Sequence, residues 1–357
     1  MRGIIWDGVR LIVTDSLAVR APGAGEVRVR VASSGICHSD LNMMEMQGIR
    51  TPVVLGHEAA GHVTQVGPGV TRFAVGDAVM VGTQTPCGSC RECARGTPAN
   101  CDATWGFVAA QPFNWRGQPV YSFANVSSFA EQIIVRESQL YPTFDLRSEQ
   151  AALIGCAVST GYCAARNLGK AGAGDRIAVI GVGGIGVNAI RGAQLAGADV
   201  LAVDLNPAKQ AVARQFGADR FILATRAQSP HELAQAMRDA AAPIDAVIEC
   251  SGAPTAVEAA IAAVKRGGRV VLIGMTLPGA SVPLSLDAML GGREIVSVMN
   301  GGARPAEDYP QLIALARSRQ IDVAAQITKV WPLGEVEDAI RALRAGEVTR
   351  AVLDHAA

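Results

Sequence analysis

The chain has 357 residues, 49% apolar and 18% charged, which suits a well-buried globular protein with room for two domains of roughly 100–200 residues each. Lys plus Arg and Asp plus Glu both number 32, so no charge surplus draws the chain to nucleic acid or to an anionic membrane surface. Ile177 to Ile190, its longest nearly apolar run, falls short of the roughly 18 residues of a membrane span, and Met1 to Asp7 lacks a signal peptide's apolar core; a cytoplasmic protein is expected.

Val27, Val29 and Val31 alternate with Arg28 and Arg30, which predicts a half-buried strand. Further β-like segments follow at His62–Gly67, Gly76–Val81 and Phe129–Val135, so the first part reads as an antiparallel, β-rich domain. Residues 102–128 are polar and aromatic without clear period and read as an irregular excursion. Ala151 to Leu168 has a helical pattern with Gly169 as its C-cap. From Arg176 the rhythm becomes strand, glycine turn, helix, strand. Strands are expected at Ile177–Ile180, Asp199–Asp204, Ala246–Ile248, Val270–Ile273 and Ile295–Val298. Helices are expected at Val187–Ala196, from an Asn206 N-cap with Pro207 at N1 to Gly217, and near Ala234–Ala242. Alternation at this spacing predicts a doubly wound parallel Rossmann sheet, an α/β fold. Helices near Tyr309–Arg319 and Glu335–Arg344 and a strand at Ala351–Leu353 close the chain.

The tightest chemical signal is Cys87-x2-Cys90-x2-Cys93-x7-Cys101. Four thiolates in one short lobe can surround a tetrahedral zinc and leave no open position, so this zinc is structural. The competing reading is buried thiols or two disulfides; two disulfides this close together strain the geometry, and a reducing compartment disfavours them. The second signal is Gly181-Val182-Gly183-Gly184-Ile185-Gly186 after a strand and before a helix. The first glycine allows the turn, the second the approach of a pyrophosphate, and the third close helix packing. Asp204 ends the next strand, where a carboxylate accepts from both ribose hydroxyls and repels a 2′-phosphate, so NAD is favoured over NADP. The remaining signals are weaker. Gly56-His57-Glu58-Ala59-Ala60-Gly61 sets an imidazole beside a carboxylate, which suits a metal ligand, a general base or an ordinary buried pair. Cys37, in Gly35 to Asp40, and Cys156, in Gly155 to Gly161, are each by themselves small buried hydrophobes more often than ligands.

Together, Gly35–Asp40, Gly56–Gly61, the four-cysteine lobe, Gly155–Gly161, Gly181–Gly186 and Asp204 resemble, in order and nearly from end to end, the zinc-dependent medium-chain alcohol dehydrogenases. The resemblance implies a GroES-like catalytic domain beside the Rossmann sheet. It also implies a catalytic zinc held by Cys37, His57 and Cys156, giving with the structural zinc two Zn2+ per subunit, and an open position for water or substrate oxygen. Such a zinc lowers the pKa of a bound alcohol, and hydride passes to NAD. By the same resemblance Glu58 tunes the metal, Asp40 orients the histidine and Ser39 takes the substrate proton. Asn42 stands where many relatives carry a histidine that ends the proton relay, and an amide cannot titrate. The cofactor set implied is Gly181, Gly183, Gly184, Ile185, Gly186, Asp204, Thr160 and Lys209, with His38 and Arg350 at the pyrophosphate. His38 replaces a more strongly basic residue there. Thr83, Phe123 and Ala124 match pocket walls, and Thr83 and Ala124 stand where larger side chains are usual, so the pocket is expected to admit aromatic or branched alcohols.

The domains are expected at 1–158 with 299–357, carrying the lobe at 87–101, and at 159–298 for NAD. The expected activity is NAD(H)-dependent oxidation of a primary or secondary alcohol, reversible from the aldehyde or ketone. One rival is a dehydrogenase of a formaldehyde–thiol adduct, which differs only in the pocket. Another is a non-catalytic NAD-binding sensor, against which the intact Cys37, His57 and Cys156 speak. No nucleic acid or membrane partner is expected. The long excursion resembles that of dimeric relatives, so a homodimer through the Ile295–Val298 edge is expected.

Overall fold

The computed structural model describes residues 1–103, 110–276, 279–289 and 291–356, with no side chains for 287 and 288. The chain divides into two compact units, Met1–Cys156 with Arg304–Ala357, and Ala157–Ala303.

The first unit is built on the strand Glu26–Ile36, whose valines at 27, 29 and 31 are buried while Arg30 is exposed. This strand pairs antiparallel with Glu58–Val66, Gln132–Arg136 and Arg350–Asp354. The last of these pairings returns the end of the chain to the middle of the sheet. Register sets Gly35 opposite both Glu58 and Val352. A second sheet of six strands includes Gly3–Trp6, Phe113–Trp115 and Gln118–Ser122. The irregular excursion expected over 102–128 therefore needs correcting, because it contains a β-hairpin. Its turn is Arg116–Gly117, both with positive φ, and its strands are too short and polar to show a period in sequence. Residues 104–109 of that excursion lie outside the described residues.

The second unit carries one parallel sheet in the order Arg220–Leu223, Asp199–Asp204, Arg176–Ile180, Ala246–Glu249, Arg269–Leu272, Glu294–Val296. In chain order this is 3-2-1-4-5-6, the doubly wound Rossmann arrangement. Alternation along the strand Arg176–Ile180 divides the core between two faces. Ile177 and Val179 pack with the helix Gly186–Leu195, while Ala178 and Ile180 pack with the helices Pro230–Ala241 and Pro254–Ala263. Two local expectations shift. Arg220–Leu223, a strand absent from the sequence reading, takes the sheet edge. The helix expected from Asn206 begins at Lys209, because the Asn206 side chain accepts from the Ala208 N–H in a local turn before the helix starts.

Candidate functional site

The strand Glu26–Ile36 delivers Cys37 at its end, where the helix His38–Glu45 begins. Asp40, in the first turn of that helix, is fully buried and organises the neighbourhood through three contacts. Its Oδ2 accepts from the Cys37 N–H at 3.0 Å, and its Oδ1 accepts from the Gly56 N–H at 2.9 Å. The same oxygen lies 3.3 Å from His57 Nδ1. This contact engages Nδ1 and leaves Nε2 as the available ligand atom. Gly56, at φ 85°, permits the backbone turn that carries His57 inward.

Cys156 arrives from the helical run that starts at Ser148, inside a widened π-turn over Ile154–Val158. Such turns recur at functional sites because they redirect side chains within a helix. Gly155 is required here, since a Cβ would overlap the Val81 carbonyl. Ligand atoms of Cys37, His57, Glu58 and Cys156 all lie within 4.8 Å of one another; Cys37, His57 and Glu58 are buried and Cys156 is half-buried. Two thiolates and an imidazole at this separation are the donor set of a zinc site with an open position, so the residues fit the metal that the sequence implies.

Electrostatics bind this group together. The hydrogen bond shared with Cys156 lowers the Cys37 thiol well below the usual thiol range, and His57 and Arg350 reinforce that against burial. The same shared bond, with burial, raises Cys156. Burial presses the His57 pKa down, but Asp40 and Cys37 outweigh it and carry the ring well above its ordinary value. Glu58 is buried beside Cys37, and desolvation lifts its carboxyl to about 7 despite the Arg350 charge.

The resemblance gives Arg350 a pyrophosphate contact; the structure shows its guanidinium buried and ion-paired with Glu58, with Nε lacking a hydrogen-bond partner. Sequence reading missed this pair, since 292 residues separate its members. Gly35 makes the pairing sterically possible, because a Cβ there would overlap the Glu58 carboxylate. Ser39 Oγ lies 3.6 Å from Cys37 Sγ, Asn42 is half-buried on the same short helix, and His38 is exposed. Of the expected pocket residues, Phe123 is buried and sets its ring edge-on to His57, with centroids 5.5 Å apart. Ala124 is buried at φ 51°, a conformation that a non-glycine residue rarely holds outside a constrained site. Thr83 Oγ1 donates to the Gly155 carbonyl at 3.4 Å.

The four-cysteine lobe gathers Cys87, Cys90, Cys93 and Cys101 with their sulfurs within 4.8 Å, and none of the chain's eight cysteines is in a disulfide. Local N–H groups point at these sulfurs. Cys90 N donates to Cys87 Sγ at 3.3 Å, Cys93 N to Cys90 Sγ at 3.5 Å, and Cys87 N to Cys101 Sγ at 3.4 Å. Donation from Ser89 and Cys90 brings the Cys87 thiol down to about 6, favouring the thiolate a metal needs.

In the second unit the glycine turn joins the strand Arg176–Ile180 to the helix Gly186–Leu195. Gly181 takes φ 92°, a Cβ on Gly186 would overlap the Gly181 carbonyl, and Gly183 has open space where a Cβ would stand. Turn, close packing and room for a phosphate are thus present at the three glycines, with Gly184 and Ile185 between the last two. Asp204 Oδ2 accepts from the Val182 N–H at 2.7 Å, which ties the carboxylate to that turn. A cavity of about 380 Å3 is lined by Gly181, Val203, Asp204, Thr225, Arg226 and Ser251, among others, at the C-terminal ends of the parallel strands. Lys209 opens the next helix; burial lowers its pKa, and the Asp204 charge opposes that. Thr160 is buried beside Gly161, where a Cβ would overlap the Ile185 carbonyl.

Comparison with known proteins identifies the family. Residues 23–145 match the alcohol dehydrogenase GroES-like domain, and residues 184–318 match the zinc-binding dehydrogenase domain. The chain is similar to an S-(hydroxymethyl)glutathione dehydrogenase of Escherichia coli O1:K1 / APEC, 32% identical over 353 residues that make up 94% of each chain. Among solved structures it resembles an alcohol dehydrogenase zinc-binding domain protein from Burkholderia ambifaria, with TM-score 0.91, 28% identity, and 99% of this chain and 98% of that one covered. It also resembles benzyl alcohol dehydrogenase from Acinetobacter calcoaceticus, with TM-score 0.88, 26% identity and 99% of each chain covered. The chain belongs to the zinc-dependent medium-chain alcohol dehydrogenase family, whose members are oxidoreductases acting on small alcohols and aldehydes, with a GroES-like fold joined to a Rossmann fold. Among the described residues, no helix is long and apolar enough to cross a membrane.

Proposed function

We propose that this protein is an NAD(H)-dependent zinc alcohol dehydrogenase that oxidises a primary or secondary alcohol of aromatic or branched type. The observation that carries the reading is the buried cluster of Cys37, His57 and Cys156, with Asp40 fixing the imidazole and Glu58 ion-paired to Arg350. These residues would hold one zinc, and Cys87, Cys90, Cys93 and Cys101 a second, structural one. When bound, the first zinc supplies a Lewis acid for the carbinol oxygen, and NAD supplies the hydride acceptor.

The chain's own groups divide the rest of the work. Phe123 excludes water from the His57 face, while Thr83 and Ala124 leave the pocket wide. Ser39 takes the carbinol proton, and beyond it Asn42 positions ordered water rather than acting as a base. Glu58, ion-paired with Arg350 and with its pKa lifted by burial to about 7, tempers the charge on the ligands. The 181–186 turn and Asp204 receive the dinucleotide, with Thr160 and Lys209 on the same unit, and the resemblance assigns His38 and Arg350 to the pyrophosphate. The first unit then serves as the catalytic domain and the second as the NAD domain. A homodimer through the sheet edge at Glu294–Val296, where Ile295 is partly exposed, suits this reading. Eight cysteines without a disulfide suit a reducing cytoplasm.

Following NADH absorbance over a panel of alcohols, with and without chelator, tests the reading. We expect chelator-sensitive turnover with kcat/KM for benzyl-type alcohols above that for ethanol. A preference for ethanol removes the wide pocket, and the absence of turnover with any alcohol overturns the activity. Similarity to the S-(hydroxymethyl)glutathione dehydrogenase favours a second reading, oxidation of a formaldehyde–thiol adduct. Formaldehyde oxidation that requires glutathione would establish it.

A further inference from the structure

The three members of the buried cluster are not held alike. Cys37 and His57 share Asp40, whose carboxylate touches both their segments. Cys156 instead sits in a π-turn, a helical turn of relaxed geometry, on a different element from the other two. A different group fixes that turn. The Gly155 carbonyl, one residue before Cys156, accepts from the Tyr309 hydroxyl at 3.1 Å and from Thr83 Oγ1 at 3.4 Å.

Tyr309 is well suited to anchor something. It has no solvent exposure and lies on the helix Pro305–Arg317, in the segment that returns to the first unit. Its ring meets Tyr141 edge-on, with centroids 4.9 Å apart. It also fills the space beside Gly82, where a Cβ would lie 2.7 Å from its Cε2. Packing on both sides holds the ring where its hydroxyl reaches the Gly155 carbonyl, and removing that bond from a buried phenol is costly. Gly155 in turn abuts the Val81 carbonyl too closely for any side chain. Gly82, Tyr309 and Gly155 thus interlock just ahead of Cys156.

We infer that Tyr309 is a positioning residue for the metal centre: by holding the Gly155 carbonyl, its hydroxyl fixes the turn that aims the Cys156 sulfur. This rests on the reading of Cys156 as a metal ligand. Tyr309→Phe keeps the ring and removes only the hydroxyl. Groups that orient a ligand from behind it typically contribute 10–100-fold to metal affinity.

The test uses the full-length, metal-loaded protein. Zinc release into excess pyridine-2,6-dicarboxylate is followed in wild type and Tyr309→Phe, and both are also loaded with cobalt for visible spectroscopy. Tyr309→Phe should speed release from the cluster at Cys37 by about 10–100-fold, leave release from the four-cysteine lobe unchanged, and shift the cobalt ligand-field and thiolate charge-transfer bands. A lower melting temperature with unchanged release and unchanged bands would make Tyr309 a packing residue only and overturn the inference. Should Tyr309→Phe not fold, Thr83→Val removes the other hydroxyl on the same carbonyl. It should speed release to a lesser degree, and its silence likewise overturns the inference. Cobalt-loaded wild type without thiolate charge transfer beyond that of the lobe would overturn the metal-centre reading itself, and the inference with it.

Discussion

The first unit contains two cysteine clusters built in opposite ways. In the lobe, four ligands fall between residues 87 and 101, three of the four are at least partly exposed, and neighbouring backbone N–H groups satisfy the sulfurs. At the second cluster, ligands at 37, 57 and 156 come from three separate elements, the first two buried and the third half-buried, and a carboxylate, an ion pair and a tyrosine hydroxyl stand behind them. A local cluster presents a closed set of like donors, which suits a structural role. A non-local one leaves a position open and allows each ligand to be tuned separately.

The sharpest way to break this contrast is to remove one ligand from each cluster. Cys156→Ser should abolish turnover, by a factor on the order of 10^3 or more, because the Lewis acid's several kcal/mol are lost. Zinc content should fall by one per chain while thermal stability changes little. Cys90→Ser should do the reverse: loss of the lobe's metal, proteolysis between residues 87 and 101, and a melting temperature lower by on the order of 10 °C. A stable, zinc-replete Cys90→Ser protein would remove the structural assignment.

A middle-sized effect is expected at Gly35. Its missing Cβ is what allows Glu58 to reach Arg350, so Gly35→Ala should displace the carboxylate and reduce kcat by about 10–100-fold. Zinc at the lobe should be unaffected. Turnover equal to wild type would mean that the buried ion pair has no part in tuning the centre.

The smallest effect tests a buried histidine outside both clusters. Burial pushes His355 down to about 3, and its Nε2 lies 2.7 Å from Ser34 Oγ. Since the Ser34 hydroxyl donates to the Ser128 carbonyl at 2.6 Å, His355 Nε2 must be the donor to Ser34. The folded-state pKa is below the ordinary 6.5, so the unfolded chain binds more protons between these values. Stability is then fully present above pH 6.5 and declines as pH falls toward 3, with a slope of at most about 1.4 kcal/mol per pH unit. Denaturant melts of His355→Asn across this range should show a shallower acid limb than wild type; identical limbs would mean that His355 does not titrate on unfolding.

Residue spacing reveals the lobe because its ligands are neighbours in the chain, and the glycine turn because strand, turn and helix are contiguous. The repeat of strand and helix from Arg176 to Val296 identifies the parallel sheet, since both faces of each central strand are apolar. Short polar strands such as Phe113–Trp115 escape it, because their pairing depends on a turn and not on a pattern.

The buried cluster is a harder case. By themselves Cys37, His57 and Cys156 carry little signal, and only resemblance to a family joins them. Residue order alone names the donors and the segments that carry them. Folding adds that Glu58 meets Arg350 across a glycine, that Asp40 holds two ligand segments at once, and that Tyr309 stands behind the third. Those contacts join residues far apart in the chain, and strand register and core packing, not local spacing, bring them within hydrogen-bond reach.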